Sequence, residues 1–169
     1  MIKHLKNNYI IYLLLILVVI VILAIKFIPK EKETLLDTSM FDVVDTKGAL
    51  DLFEDSYEKA QVLMISRLDC SASINNEAII KIAIAQYHFY LHYLELSDID
   101  ENSEEGKELI DKLDYEYTLN DKHEKFSYFL GATPMFTIIK NGKMVYGNIG
   151  SMSDEQIKQA VQNYGATYE

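Results

Sequence analysis

The chain has 169 residues, one cysteine, no tryptophan and a formal net charge of −10 at pH 7, a length that holds one membrane segment and one domain of ordinary size. All 26 acidic residues lie after position 30 but only 12 of the 16 Lys and Arg do, so residues 31–169 carry a net charge of −14. That sign argues against binding nucleic acid or anionic lipid headgroups, and a lone cysteine provides no structural disulfide.

Residues 1–8 form a short flank carrying Lys3 and Lys6. Tyr9 to Ile25 is a run of seventeen uncharged residues, almost all Ile, Leu and Val. With Lys26 snorkelling, Phe27 and Ile28 extend it over residues 9–28 to about the ~20 residues that span a bilayer. A cleavable secretory signal would have a shorter apolar core, ~7–15 residues, followed by small residues. Here the run ends in Lys26-Phe-Ile-Pro29-Lys30. Residues 9–28 therefore read as an uncleaved transmembrane anchor. Lys26, Lys30 and Lys32 after the span balance Lys3 and Lys6 before it, so charge leaves the orientation open. The very short first flank favours its retention in the cytoplasm. The expectation is a single-pass protein of the cell membrane with its domain on the extracytoplasmic side.

Residues 29–44 read as a linker, and the domain is expected over 45–169. Thr46 to Lys59 has the pattern of an amphipathic helix, with Leu50, Phe53 and Tyr57 spaced by three and four. Gln61 to Ser66 is an apolar strand. It runs into Arg67-Leu-Asp-Cys70-Ser-Ala-Ser73 and then a helix from Ser71, whose predicted inner stripe is Ala72, Ile79, Ile82, Ala83 and Gln86. Phe89 to Leu96 alternates and is rich in aromatics, which predicts a second strand. From Glu95 to Glu124 stand twelve Asp or Glu against three Lys, an acidic helical insertion over about 97–124. Within it Ser103 to Leu113 reads as a helix. A further helix is expected over about Asp121 to Leu130, closed by Gly131. Thr133 to Lys140 is an apolar strand beginning at Pro134. Asn141-Gly142 turns it into Lys143 to Tyr146, and Ser153 with Gln156 offers a capping box for a last helix to about Asn163. The first two strands are joined by a helical crossover and should be parallel, whereas the last two form an antiparallel hairpin. The class is α/β.

Cys70 is the chemical centre of this pattern. A thiol at a helix N-terminus meets unpaired backbone N–H groups and the positive end of the helix dipole, which favour the thiolate. Arg67 would add to that effect and Asp69 would oppose it. Ser73 stands where a redox pair would carry its second sulfur: it can donate a hydrogen bond to Cys70 but cannot resolve a mixed disulfide. His88 and His92 share i,i+4 spacing without the Glu of a metalloprotease helix, and Asp98-x-Asp100-x-Asn102 lacks the Gly and Glu of a calcium loop. Neither metal nor cofactor is expected.

The chain resembles thioredoxin-like proteins over roughly residues 45–165. Three features carry the resemblance: cysteine at a strand-to-helix turn, Gly131-Ala-Thr133-Pro134 opening a strand, and the Asn141-Gly142-Lys143 hairpin followed by Gly150 and a final helix. It implies a central mixed sheet flanked by helices, here preceded by the transmembrane helix. It also implies a cis Pro134 beside the cysteine, with Thr133 offering its backbone to a substrate chain and Arg67 beside it. The anchor, the Arg-x-x-Cys string and the enlarged middle segment further resemble membrane-anchored thioredoxin-like proteins of Gram-positive bacteria. These include bacteriocin transport accessory proteins, whose Arg-x-x-Cys-x-x-Cys compares with Arg67 to Ser73. Position and proline together favour an accessible thiol over a buried small residue. Two functions follow from the resemblance: monothiol thiol-disulfide chemistry or handling of exported peptides, with mixed disulfides to an exported or envelope partner through Cys70; or a redox-inactive module that docks such a partner.

Overall fold

The computed structural model describes residues 34–54, 57, 59–119 and 122–168, together with Tyr12 and residues 14–19. Two compact units divide at Glu33 and Thr34. Most of the segment read as an anchor over residues 9–28 lies outside the described residues. Within it Tyr12 and residues 14–19 are helical and exposed, and among the described residues no helix is long and apolar enough to cross a membrane.

In the second unit, β2 (Gln61–Ser66) is central and buried along its whole length. A strand covered on both faces must be apolar on both, and Val-Leu-Met-Ile is. Its neighbours are β3 (Leu91–Glu95), parallel, and β6 (Met135–Lys140), antiparallel. β1 (Asp42–Val44) lies parallel to β3 at one edge, and β7 (Lys143–Ile149) pairs antiparallel with β6 at the other, giving the order β1-β3-β2-β6-β7. Asn141 and Gly142 turn the last hairpin with φ of 52° and 71°, the positive values that its tight two-residue turn demands.

Helices cover both faces. α2 (Ser71–Tyr87) and α4 (Asp154–Tyr164) pack on one, closing a core that includes Met64, Ile80, Tyr93, Phe136 and Ile157. α1 (Thr46–Asp51) and α3 (Glu104–Lys112) pack on the other, over Leu63, Ile65, Leu94, Leu109 and Phe126. Ser103 accepts from Gly106 N–H to start α3, and Ser153 with Gln156 forms the capping box of α4.

Several local expectations are corrected. The first helix stops at Asp51 instead of Lys59, because adjacent Leu52 and Phe53 are both buried and a turn places both in the core. Residues 34–44 do more than link: Asp42–Val44 is β1, and Leu36 and Phe41 belong to the core. The inner stripe of α2 is Ser73, Asn76, Ile80 and Ala83, whereas Ile79 and Ile82 face outward, 37% and 59% exposed. The expected helix over 121–130 is instead β5 (Lys122–Lys125) followed by a 3-10 turn, Phe126–Phe129. β5 pairs with β4 (Glu116–Leu119) in a separate two-stranded ribbon, so among the described residues the acidic segment is α-helical only over α3, with a 3-10 turn, Leu96–Asp98, at its start. Tyr117 seats this ribbon edge-on against Phe126 and Phe129, each ring centre 5.8 Å away.

Candidate functional site

The C-terminal end of β2 delivers the chain to Cys70, which is the N-cap residue of α2. Its backbone is extended, its carbonyl accepts from Ile74 N–H at 3.0 Å, and its own N–H donates to Arg67 O at 3.0 Å. The sulfur therefore faces the first turn of the helix. Opposite it stands the loop before β6, where the Thr133–Pro134 peptide is cis. The thiol donates to the Thr133 carbonyl across 3.4 Å. Cys70, Ser73, Thr133 and Pro134, read separately from the sequence, are thus one cluster.

Cys70 is only 6% exposed, so the thiol expected to be accessible is covered. Burial pushes its pKa up, but hydrogen bonds from the Ser73 and Thr133 side chains and from the Ser73 and Ala72 backbone outweigh it and bring the thiol down to about 7. Arg67 and Asp69 stand apart from that balance. They pair with each other at 3.1 Å in solvent, with side chains 52% and 69% exposed. Ser73 is fully buried, its hydroxyl 2.6 Å from that of Ser66.

The surrounding struts were not anticipated from the sequence. Glu95, at the end of β3, accepts the Leu68 N–H at 3.0 Å and the Tyr93 hydroxyl at 2.7 Å, steadying the turn that carries Cys70 from one side. From the other, Leu36 N–H donates to Leu68 O at 2.8 Å. Burial first, and then the Glu95 carboxylate, raise the Tyr93 phenol far above its ordinary value, keeping it a donor. Asn76 holds Met152 through both amide atoms, at 2.9 and 2.7 Å, and Gly150 N–H donates to Pro134 O at 2.7 Å, so α2 and the proline loop share one support. A charged residue ending a strand, and an Asn on the buried face of a helix, were the only signals available for these roles.

The two histidines are separate. His88 ends α2 in a left-handed conformation, whereas His92 lies in β3 with Nδ1 2.8 Å from an Asp42 carboxylate oxygen and Nε2 3.1 Å from the Gln61 amide oxygen. Among the described residues no group of three or more His, Cys, Asp or Glu could hold a metal.

No family model matches the chain, and no curated protein matches it. Solved structures do. A thioredoxin from Nicotiana alata aligns with TM-score 0.52 and 14% identity, covering 76% of this chain and 96% of its own. Reduced Schistosoma mansoni thioredoxin aligns at 0.51 and 18% identity, over 75% and 99%. A mutant thioredoxin from Halobacterium salinarum aligns at 0.51 and 11%, over 76% and 93%. With the sheet order, the cysteine at the β2–α2 turn and the cis proline beside it, these likenesses establish that the chain has a thioredoxin-like fold.

Proposed function

We propose that this protein is a membrane-tethered, extracytoplasmic thioredoxin-like protein whose single Cys70 performs monothiol thiol-disulfide chemistry on exported or envelope proteins or peptides, bacteriocins among them. The observation that carries this reading is Cys70 at the α2 N-terminus, held at about pKa 7 and facing the cis Thr133–Pro134 loop. The Cys70 thiolate attacks one sulfur of a partner disulfide. A bond forms between that sulfur and Cys70, the partner's S–S bond breaks, and the other partner sulfur leaves as thiolate. With no second cysteine in the chain, the mixed disulfide is resolved by a thiol from another molecule. Tethering through residues 9–28 follows from their apolar length.

Burial of the thiol favours the second reading, a redox-inactive module that docks a secretion or envelope partner. Docking an extended chain at the cis-proline loop requires Thr133 to exchange its present partners, Gly131 O for its N–H and the Cys70 thiol for its carbonyl, for the backbone of the bound chain. Capture of disulfide-linked partners from cells under non-reducing conditions separates the two. Thiol chemistry predicts covalent partners that vanish in Cys70→Ser. The same partners co-purifying non-covalently with Cys70→Ser, with a normal phenotype, would establish the docking module instead.

A further inference from the structure

The thiol and the docking backbone meet on one atom. Thr133 O accepts the Cys70 thiol at 3.4 Å, and Thr133 N–H turns back to Gly131 O at 3.1 Å. Both backbone groups that an extended chain would pair with are therefore taken by this chain itself. The two partners differ in kind: the Gly131 carbonyl is permanent, whereas the thiol is a donor only while it holds its proton. Exposure differs as well. Gly131 and Ala132 are exposed, and a Cβ added at Gly131 would meet nothing within 4 Å, while Cys70 is 6% exposed. A partner reaches the loop before it reaches the sulfur.

We propose that the Cys70 proton gates docking: the protonated thiol and a backbone N–H of an extended partner compete for the Thr133 carbonyl, and ionisation of Cys70 yields that carbonyl to the partner. The proposal rests on the Thr133–Pro134 loop being the docking backbone of the proposed function. No bond to sulfur forms in this step; the thiol proton passes to solvent and the partner N–H replaces it on the oxygen. That oxygen has a second lone pair, so a partner can approach before the thiol has left, and the coupling is modest. By reciprocity a docked partner favours the thiolate by the same factor that ionisation tightens docking, so the nucleophile forms once the partner is in place.

Cys70 is the group that titrates near neutral pH at this position. Arg67 and Asp69 share its turn and pair with each other in solvent. From β3, Glu95 and Tyr93 face the turn and bond to each other. Glu77, two turns along α2, holds Lys81 together with Asp37, and Asp154 accepts the Tyr87 hydroxyl. The Gly131–Pro134 loop brings no ionisable side chain. His88 and His92 lie at the far ends of α2 and β3 from this turn, and His123 lies on the ribbon.

The chain has two prolines, and only Pro134 follows a threonine. Labelling threonine carbonyl carbons and proline nitrogens with NMR-active isotopes therefore gives one coupled signal, from the Thr133 carbonyl, in the detergent-solubilised full-length protein. As pH rises that signal should move upfield with a midpoint of about 7, because the carbonyl loses its donor. Cys70→Ser, a permanent donor, should hold it at the low-pH position, and Cys70→Ala, with no donor, at the high-pH position. Cys70→Val makes the same test if Cys70→Ala does not fold. A through-space effect of the thiolate charge would leave Cys70→Ala at the low-pH position; that result, or a wild-type signal indifferent to pH, would overturn the gate. Docking is read separately with a cysteine-free decapeptide of alternating threonine and glutamine. Wild type should bind it about threefold tighter at about pH 8.5 than at about pH 6, the weight of one modest hydrogen bond. Cys70→Ala should bind it equally at both, and an N-methylated peptide, which brings no N–H, should lose the wild-type difference. Bound peptide should lower the thiolate midpoint, read by ultraviolet absorbance, by about half a unit. Equal wild-type affinity at both pH values, or a bound peptide with a fixed carbonyl signal, removes the gate and leaves docking. A moving carbonyl signal with no peptide bound by either protein removes docking at this loop and the gate with it.

Discussion

Replacing Asn76 with alanine tests what holds the thiol and the proline loop in one frame. The side chain is 4% exposed and exchanges two hydrogen bonds with the Met152 backbone, at 2.9 and 2.7 Å. Met152 is itself buried, and two residues before it Gly150 N–H holds Pro134 O. Asn76→Ala strips the partner from one N–H and one C=O in a site without ready access to water. Each orphaned group costs about 1–3 kcal/mol, so the expected loss is about 2–6 kcal/mol. At about 3 °C per kcal/mol for a domain of this size, Tm should drop by roughly 6–18 °C. Asn76→Asp should cost at least as much, because it sets an acceptor against the Met152 carbonyl. Urea denaturation followed by circular dichroism checks both, with the midpoint falling and the slope unchanged. A loss below about 1 kcal/mol would refute the reasoning, because it would mean the Met152 backbone is satisfied without Asn76.

Three further outcomes are expected. The folded-state pKa of Cys70, about 7, lies below its ordinary 9.0, so its ionised sulfur contributes stability that is fully present above pH 9.0 and lost as pH falls through about 7. The stability difference between wild type and Cys70→Ser should therefore grow over that window, and a flat difference would show the thiolate is unsupported. Burial holds His92 below its ordinary 6.5 against the pull of Asp42, so the folded state loses stability as pH falls below 6.5, and His92→Gln should remove that slope in denaturation measured against pH. Ser73→Cys should form an internal disulfide with Cys70, read as a loss of alkylatable thiol that reductant restores; two free thiols after mild oxidation would show that the buried position 73 points away from the sulfur.

Elements whose instructions are local were legible in the sequence. The Asn141-Gly142 turn, the Ser103 and Ser153 caps and the apolar β2 strand all depend on neighbours a few residues away. Where the outcome depends on distant packing, the sequence misled. In α2 the isoleucines Ile79 and Ile82 suggested an inner face, yet polar Ser73 and Asn76 take it, because partners exist for them there: Ser66 for one and the Met152 backbone for the other. β4 and β5 read as parts of an acidic helical insertion and of the helix expected over 121–130, and the ribbon is held by the aromatic contacts of Tyr117, which no local pattern announces. β1 is three residues long, too short for alternation to show, and exists because β3 offers it an open edge.

The site divides in the same way. Sequence alone determined that this chain has one thiol, that it sits where a strand meets a helix N-terminus, that a threonine-proline pair opens a later strand, and that no second sulfur stands at position 73. Those facts are properties of order and residue type. Tertiary structure decided that the Thr133 carbonyl faces the sulfur, that Ser73 lies buried against Ser66, and that Arg67 and Asp69 pair with each other in solvent. It also decided that the thiol is covered and yet acidic. The acidity of a thiol is set by the donors within reach of the sulfur, and here the β6 loop supplies one of them from sixty-three residues away.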